Sequence, residues 1–82
     1  MDRSLSPKNK ALLKELEELN ARVVGKLEKI GYSEGWEERK KKGNDIRLLV
    51  VEAILNLELR RFSRLGDALR KLEELGLTFI NR

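Results

Sequence analysis

The feature that most constrains the fold is a helical spacing of apolar residues over the first third of the chain. These residues recur at steps of four, three, four, four and three, and they are Leu12, Leu16, Leu19, Val23, Leu27 and Ile30. This spacing places all of them on one face of an α-helix. Ser6 and Pro7 are typical of a helix start, because the serine hydroxyl can accept from a backbone N–H and proline has no donor to lose. The sequence predicts one helix over about 7–30, ended by Gly31.

The middle of the chain predicts a short helix followed by a long one. Ser33 can cap a helix over 34–42, in which acidic residues come first and basic residues last, as the helix dipole favours. Gly43 then ends that helix and Asn44-Asp45 caps the next. The third helix, over about 46–65, is apolar nearly all round, so we expect other elements to cover it on several sides.

The last third predicts another break and a fourth helix. Gly66-Asp67 has the form of a helix end followed by a new cap. A short helix over about 68–75 follows, and Gly76 ends it. The apolar tail, 77–80, is expected to fold back on the core. The predicted fold is therefore all-α: a compact four-helix bundle with two long and two short helices and short, glycine-capped loops.

Length and composition fit one small water-soluble domain covering residues 1–82. The chain has 82 residues, of which 40% are hydrophobic and 39% are charged. This is too apolar for a disordered tail and too charged for a membrane span. Residues 1–7 contain no apolar stretch or cleavage site of a secretory signal, so the expected location is cytoplasmic.

The absence of histidine and cysteine excludes much of enzyme chemistry. Without them the chain has no thiol nucleophile, no imidazole or thiolate metal ligand, and no side chain that ordinarily titrates near neutral pH. Three pairs of carboxylates are present, Glu17-Glu18, Glu37-Glu38 and Glu73-Glu74. Adjacent residues of a helix point about 100° apart, so the two carboxylates of a pair cannot share a proton. We expect no catalytic residue, no metal and no cofactor.

Two basic clusters offer an alternative function in phosphate contact. The first is Lys40, Lys41 and Lys42, directly after Arg39, and the second is Arg60, Arg61 and Arg64. The formal net charge of +4 permits weak binding of nucleic acid. The chain has no recognisable helix-turn-helix or zinc signature and no aromatic platform for bases. Solvated helix faces are therefore the favoured interpretation, with nucleic-acid binding as the alternative.

Residues 59–69 read Leu-Arg-Arg-Phe-Ser-Arg-Leu-Gly-Asp-Ala-Leu. This segment resembles the BH3 motif, an amphipathic helix that inserts into a groove of Bcl-2-like proteins. The matching residues are Phe62, Leu65 and Leu69 as the second, third and fourth apolar anchors, Gly66 as the small residue and Asp67 as the acid. Phe62 stands where leucine is usual, and Glu58 stands where the first apolar anchor is expected. The other interpretation is that Gly66-Asp67 is a helix break.

The whole chain resembles a computationally designed helical protein. The residues that carry the resemblance are Leu, Glu, Lys and Arg in the helices, Ser-Pro and Asp at helix starts, and Gly at helix ends. The resemblance implies a structural scaffold without native activity and without a required partner. The alternative is a protein-binding module that presents a helix face. The leucine-rich surface could be buried within a monomer or across a homodimer.

Overall fold

The computed structural model describes residues 5–81. In this range the chain forms three helices and no strand: α1 (Pro7–Lys29), α2 (Trp36–Glu58) and α3 (Phe62–Glu74). The predicted all-α class is confirmed, but the prediction of four helices is wrong. The molecule is elongated and measures 53 × 20 × 20 Å. The predicted lack of a secretory signal rests partly on residues 1–4, which lie outside the described residues.

Helix α1 follows the sequence pattern closely. Its cap is Ser6, whose Oγ accepts a hydrogen bond from the Asn9 N–H at 3.2 Å, and Pro7 is the first helical residue. The helix ends at Lys29, within one residue of the predicted end. Its apolar stripe is buried at Leu12, Leu16, Leu19 and Val23. Local capping and one continuous stripe therefore account for this helix.

Helix α2 runs through the break predicted at 43–45. Gly43 lies inside the helix, at a point that α1 passes closely: an ideal Cβ at this position would be 2.6 Å from Leu27 Cδ2. The glycine permits a close helix crossing and does not end a helix. The helix begins after Gly35, which has a left-handed φ of 79°, and Ser33 does not cap it. The predicted helices over 34–42 and 46–65 are thus mainly one helix.

Helix α2 ends seven residues before the predicted position 65. The Arg60 N–H donates to the Leu57 carbonyl at 3.1 Å, and the Arg61 N–H donates to the Asn56 carbonyl at 2.8 Å. These two bonds form a Schellman motif, in which the residue after the C-cap is left-handed. That residue is Arg60, with a φ of 57°. The chain reverses here, and α3 packs back against α2.

Helix α3 continues through Gly66-Asp67, so the predicted break there is wrong. The reason is tertiary: Leu65, Ala68, Leu69 and Leu72 form one apolar stripe that the core buries. Breaking the helix at position 66 would separate the first of these residues from the other three. The predicted end at Gly76 is confirmed, since this residue has a φ of 94° in a second Schellman motif.

The core is one cluster between the three helices, concentrated at the end of the molecule that α3 covers. Its buried apolar residues are Leu12, Leu16, Leu19, Val23, Val50, Ala53, Leu57, Leu65, Ala68, Leu69 and Leu72. Helix α2 lies in the middle and contacts both α1 and α3. The tail folds back as predicted at Leu77 and Phe79, which pack on the core, whereas Ile80 is exposed.

Candidate functional site

The outer face of α2, which we define as Leu48, Val51, Leu55 and Leu59, carries apolar side chains that no other described element covers. They are 47 to 69% exposed. Their spacing of three, four and four residues places them on one side of the helix, within a sector about 80° wide. The opposite side of α2 buries Val50, Ala53 and Leu57. The expectation that this helix is covered on several sides is therefore wrong for one face.

The sequence could have predicted this exposed face if the number of helices available to cover α2 had been counted. A helix that is apolar nearly all round needs neighbours on several sides. In the predicted fold, the fourth helix covers one of these sides. In the structure, however, the residues of that helix belong to α3. With α1 and α3 as the two helices that pack on α2, one apolar face faces solvent. Exposed apolar patches of this kind are typical of protein interaction sites.

The BH3-like segment lies mostly on α3, and its anchors have different environments. Leu65 and Leu69 are 6% and 3% exposed, because they contribute to the core, whereas Phe62 is half-exposed. Asp67 lies on the surface and accepts a hydrogen bond from Arg70 Nη2 at 3.4 Å. Gly66 is in the middle of the helix, with open space where a side chain would start. Binding through Leu65 and Leu69 would require α3 to leave the core.

The two basic clusters are far apart. Lys40, Lys41 and Lys42 lie near the start of α2, and Arg60, Arg61 and Arg64 lie around the turn after its end. A helix of 23 residues is about 34 Å long, so one cluster lies at each end of that length. The structure does not bring the clusters together into one basic surface.

Part of the first cluster is engaged locally. The Lys40 ammonium lies 5.2 Å from the Trp36 ring centroid and 5.6 Å from that of Tyr32. Those rings contact each other edge to face at 4.9 Å. Arg39 Nη2 donates to Ser33 Oγ at 2.6 Å and to the Glu34 carbonyl at 2.9 Å. Tyr32 itself is exposed and contacts Trp36.

The carboxylates do not assemble into a site. No group of three or more acidic side chains within residues 5–81 is placed to hold a metal ion. Of the adjacent pairs, Glu17, Glu18, Glu37, Glu38 and Glu74 are exposed on helix surfaces, and Glu73 is partly buried. The Glu15 carboxylate has a partner distant in sequence, since it accepts from the Ile80 N–H at 2.6 and 3.1 Å. This contact holds the tail against α1.

Comparisons with protein-family models, curated proteins and solved structures find no match to this chain. Across the described residues, no helix combines the length and the apolar character needed to cross a membrane.

Proposed function

We propose that the protein is a non-catalytic helical scaffold that works by helix association, with a second copy of the chain docked on the outer face of α2. The observation that carries the proposal is the exposed apolar row of Leu48, Val51, Leu55 and Leu59. Covering this row with a partner would stabilise the complex by about 25 cal/mol for each Å² of apolar surface removed from water. A second helix with the same row would cover it along its whole length.

On one flank of the row, the charges are complementary in an antiparallel pair of identical helices. A two-fold axis between Val51 and Leu55 brings Leu48 of one copy opposite Leu59 of the other. The same axis brings Arg47 opposite Glu58, and both of these side chains are exposed on the same flank of the row. Isologous pairing is the commonest symmetry of soluble oligomers. The chain thus carries both the apolar surface and a complementary charge pair for its own copy.

The expected affinity is modest because the interface is small. The four side chains and their charged flanks bury about 1,000 Å² in total over two copies, at the lower end of specific interfaces. We therefore expect a dissociation constant in the micromolar range. The designed origin that the composition favours remains a prediction, and self-association does not depend on it.

The test is sedimentation equilibrium of the full chain over a range of concentrations. We expect a monomer–dimer equilibrium that Leu48→Gln with Leu55→Gln shifts to monomer, because glutamine keeps the helix propensity and removes the apolar row. Ile80→Gln is the matched control, since it removes an exposed aliphatic side chain elsewhere and should leave the equilibrium unchanged. A wild-type chain that stays monomeric at several hundred micromolar would overturn the proposal.

The predicted register has its own test. Arg47→Glu alone should weaken the dimer by placing like charges opposite each other. Combining it with Glu58→Arg should restore the dimer, because the pair is then reversed but complementary. Equal dimerisation of the single and double variants would contradict the antiparallel register.

A further inference from the structure

A groove opens where α3 stops short of the other two helices. Helices α1 and α2 have 23 residues each, but α3 has 13, so part of the α1–α2 hairpin lacks a third helix. The groove in this part has a volume of about 530 Å³. Its apolar lining consists of Leu19, Val23 and Leu27 of α1, Ile30 directly after α1, Ile46 of α2, and Leu77 and Phe79 of the tail.

The rim of this groove is basic. Arg22 and Lys26 of α1 lie on one side, and Arg39 and Lys42 of α2 lie on the other. The single carboxylate in the lining, Glu15, is already hydrogen-bonded to the tail.

None of the four basic side chains forms a salt bridge with a residue in the range 5–81. The hydrogen bonds of Arg39 go to neutral acceptors, the Ser33 hydroxyl and the Glu34 backbone carbonyl. The groove therefore combines an apolar floor with an excess of positive charge around it. A complementary occupant has an apolar face flanked by carboxylates.

The shape of the groove favours a helical occupant. The apolar part of its α1 wall extends from Leu19 to Ile30, about 17 Å of helix, which is three turns. An α-helix of that length would lie where a longer α3 would have been, and it would complete a three-helix arrangement along the hairpin. Helix-in-groove docking uses apolar anchors at steps of three and four residues.

We propose that this groove binds an acidic amphipathic helix from another protein. The site is distinct from the outer face of α2, because Gly43 and Ile46 line the groove on the opposite side of that helix. The two surfaces can therefore be occupied together. The partner's leucine-type anchors would pack on the floor, and its carboxylates would lie near Arg22, Lys26 and Lys42.

The probe is a fluorescein-labelled 14-residue peptide with leucine at helical steps of three and four and glutamate at most other positions. Fluorescence anisotropy of the full chain with this peptide should give saturable binding. A peptide with lysine in place of glutamate should bind at least about ten-fold more weakly, because its charges repel the rim. This comparison uses only the wild-type chain, so it does not depend on how a variant folds.

A charge-reversal pair locates the site. Lys26→Glu with Lys42→Glu should weaken binding of the acidic peptide about ten-fold. Lys8→Glu with Lys10→Glu makes the same change in net charge at exposed positions near the start of α1 and should leave binding within about two-fold. Circular dichroism of both variants checks that the helices are retained. The Leu48→Gln, Leu55→Gln variant should still bind the peptide, which separates this site from self-association.

Three results would overturn the proposal. The first is equal binding of the glutamate and lysine peptides, and the second is an equal loss in the groove variant and its control. The third is binding of phosphatidylglycerol vesicles that the groove variant loses, together with no binding of the acidic peptide, which would assign the groove to an anionic membrane surface.

Discussion

Replacing Gly43 by alanine tests whether this glycine is present for helix packing. An added Cβ would lie 2.6 Å from Leu27 Cδ2 and 3.1 Å from Leu27 Cγ. Rotation of the leucine about χ2 moves Cδ2 away but leaves Cγ in place. Relief of the second contact therefore requires a new χ1 rotamer or a shift of α1 away from α2.

The expected magnitude is the difference between two opposing effects. Alanine in a helix interior is more favourable than glycine by about 1 kcal/mol. Overpacking a close contact typically costs about 1–3 kcal/mol. We therefore expect Gly43→Ala to lower the free energy of unfolding by about 1 kcal/mol. Gly66→Ala, in the middle of α3 with open space around the new Cβ, should instead raise it by about 0.5–1 kcal/mol.

The assay is urea denaturation followed by far-UV circular dichroism, with a double-mutant cycle. In a Leu27→Ala background the clash is removed, so Gly43→Ala should become stabilising by about as much as Gly66→Ala. The coupling energy between positions 27 and 43 should then be about 2 kcal/mol. If Gly43→Ala stabilises the wild-type chain as much as Gly66→Ala does, the close-approach explanation of this glycine is refuted.

Two further predictions concern the end of α2 and the surface of α3. Arg60→Gly should raise the free energy of unfolding by about 0.5–1 kcal/mol, because glycine adopts the left-handed φ of 57° without strain. Arg61→Gly removes the same charge at a φ of −90° and should not stabilise, so a gain in both variants would point to charge and not to strain. Asp67→Ala should change stability by less than about 0.5 kcal/mol in urea denaturation, because Asp67 is a mid-helix residue with one exposed ion pair. A loss of about 0.5–2 kcal/mol would instead indicate the helix cap that the sequence suggested.

The candidate surfaces were only partly predictable from the sequence. The basic clusters and the BH3-like residues can be recognised in the sequence. Whether each of them lies on the surface or in the core depends on the tertiary structure. Leu65 and Leu69 are buried because α3 needs an apolar stripe to dock on α2. Leu48 and Leu55 are exposed because α1 and α3 pack on other sides of the same helix. The groove arises from the difference in length between α3 and its neighbours, which the predicted helix boundaries concealed.

The sequence by itself determined the helical class, the course of α1 and the end of α3 at Gly76. Each of these follows from short-range features: a continuous stripe, a Ser-Pro start and a glycine in a left-handed cap. The tertiary structure decided the structural roles of Gly43 and Arg60. A glycine can end a helix or admit a close neighbour, and only the position of Leu27 distinguishes the two. An arginine can take a left-handed turn when the packing of α3 against α2 compensates the strain.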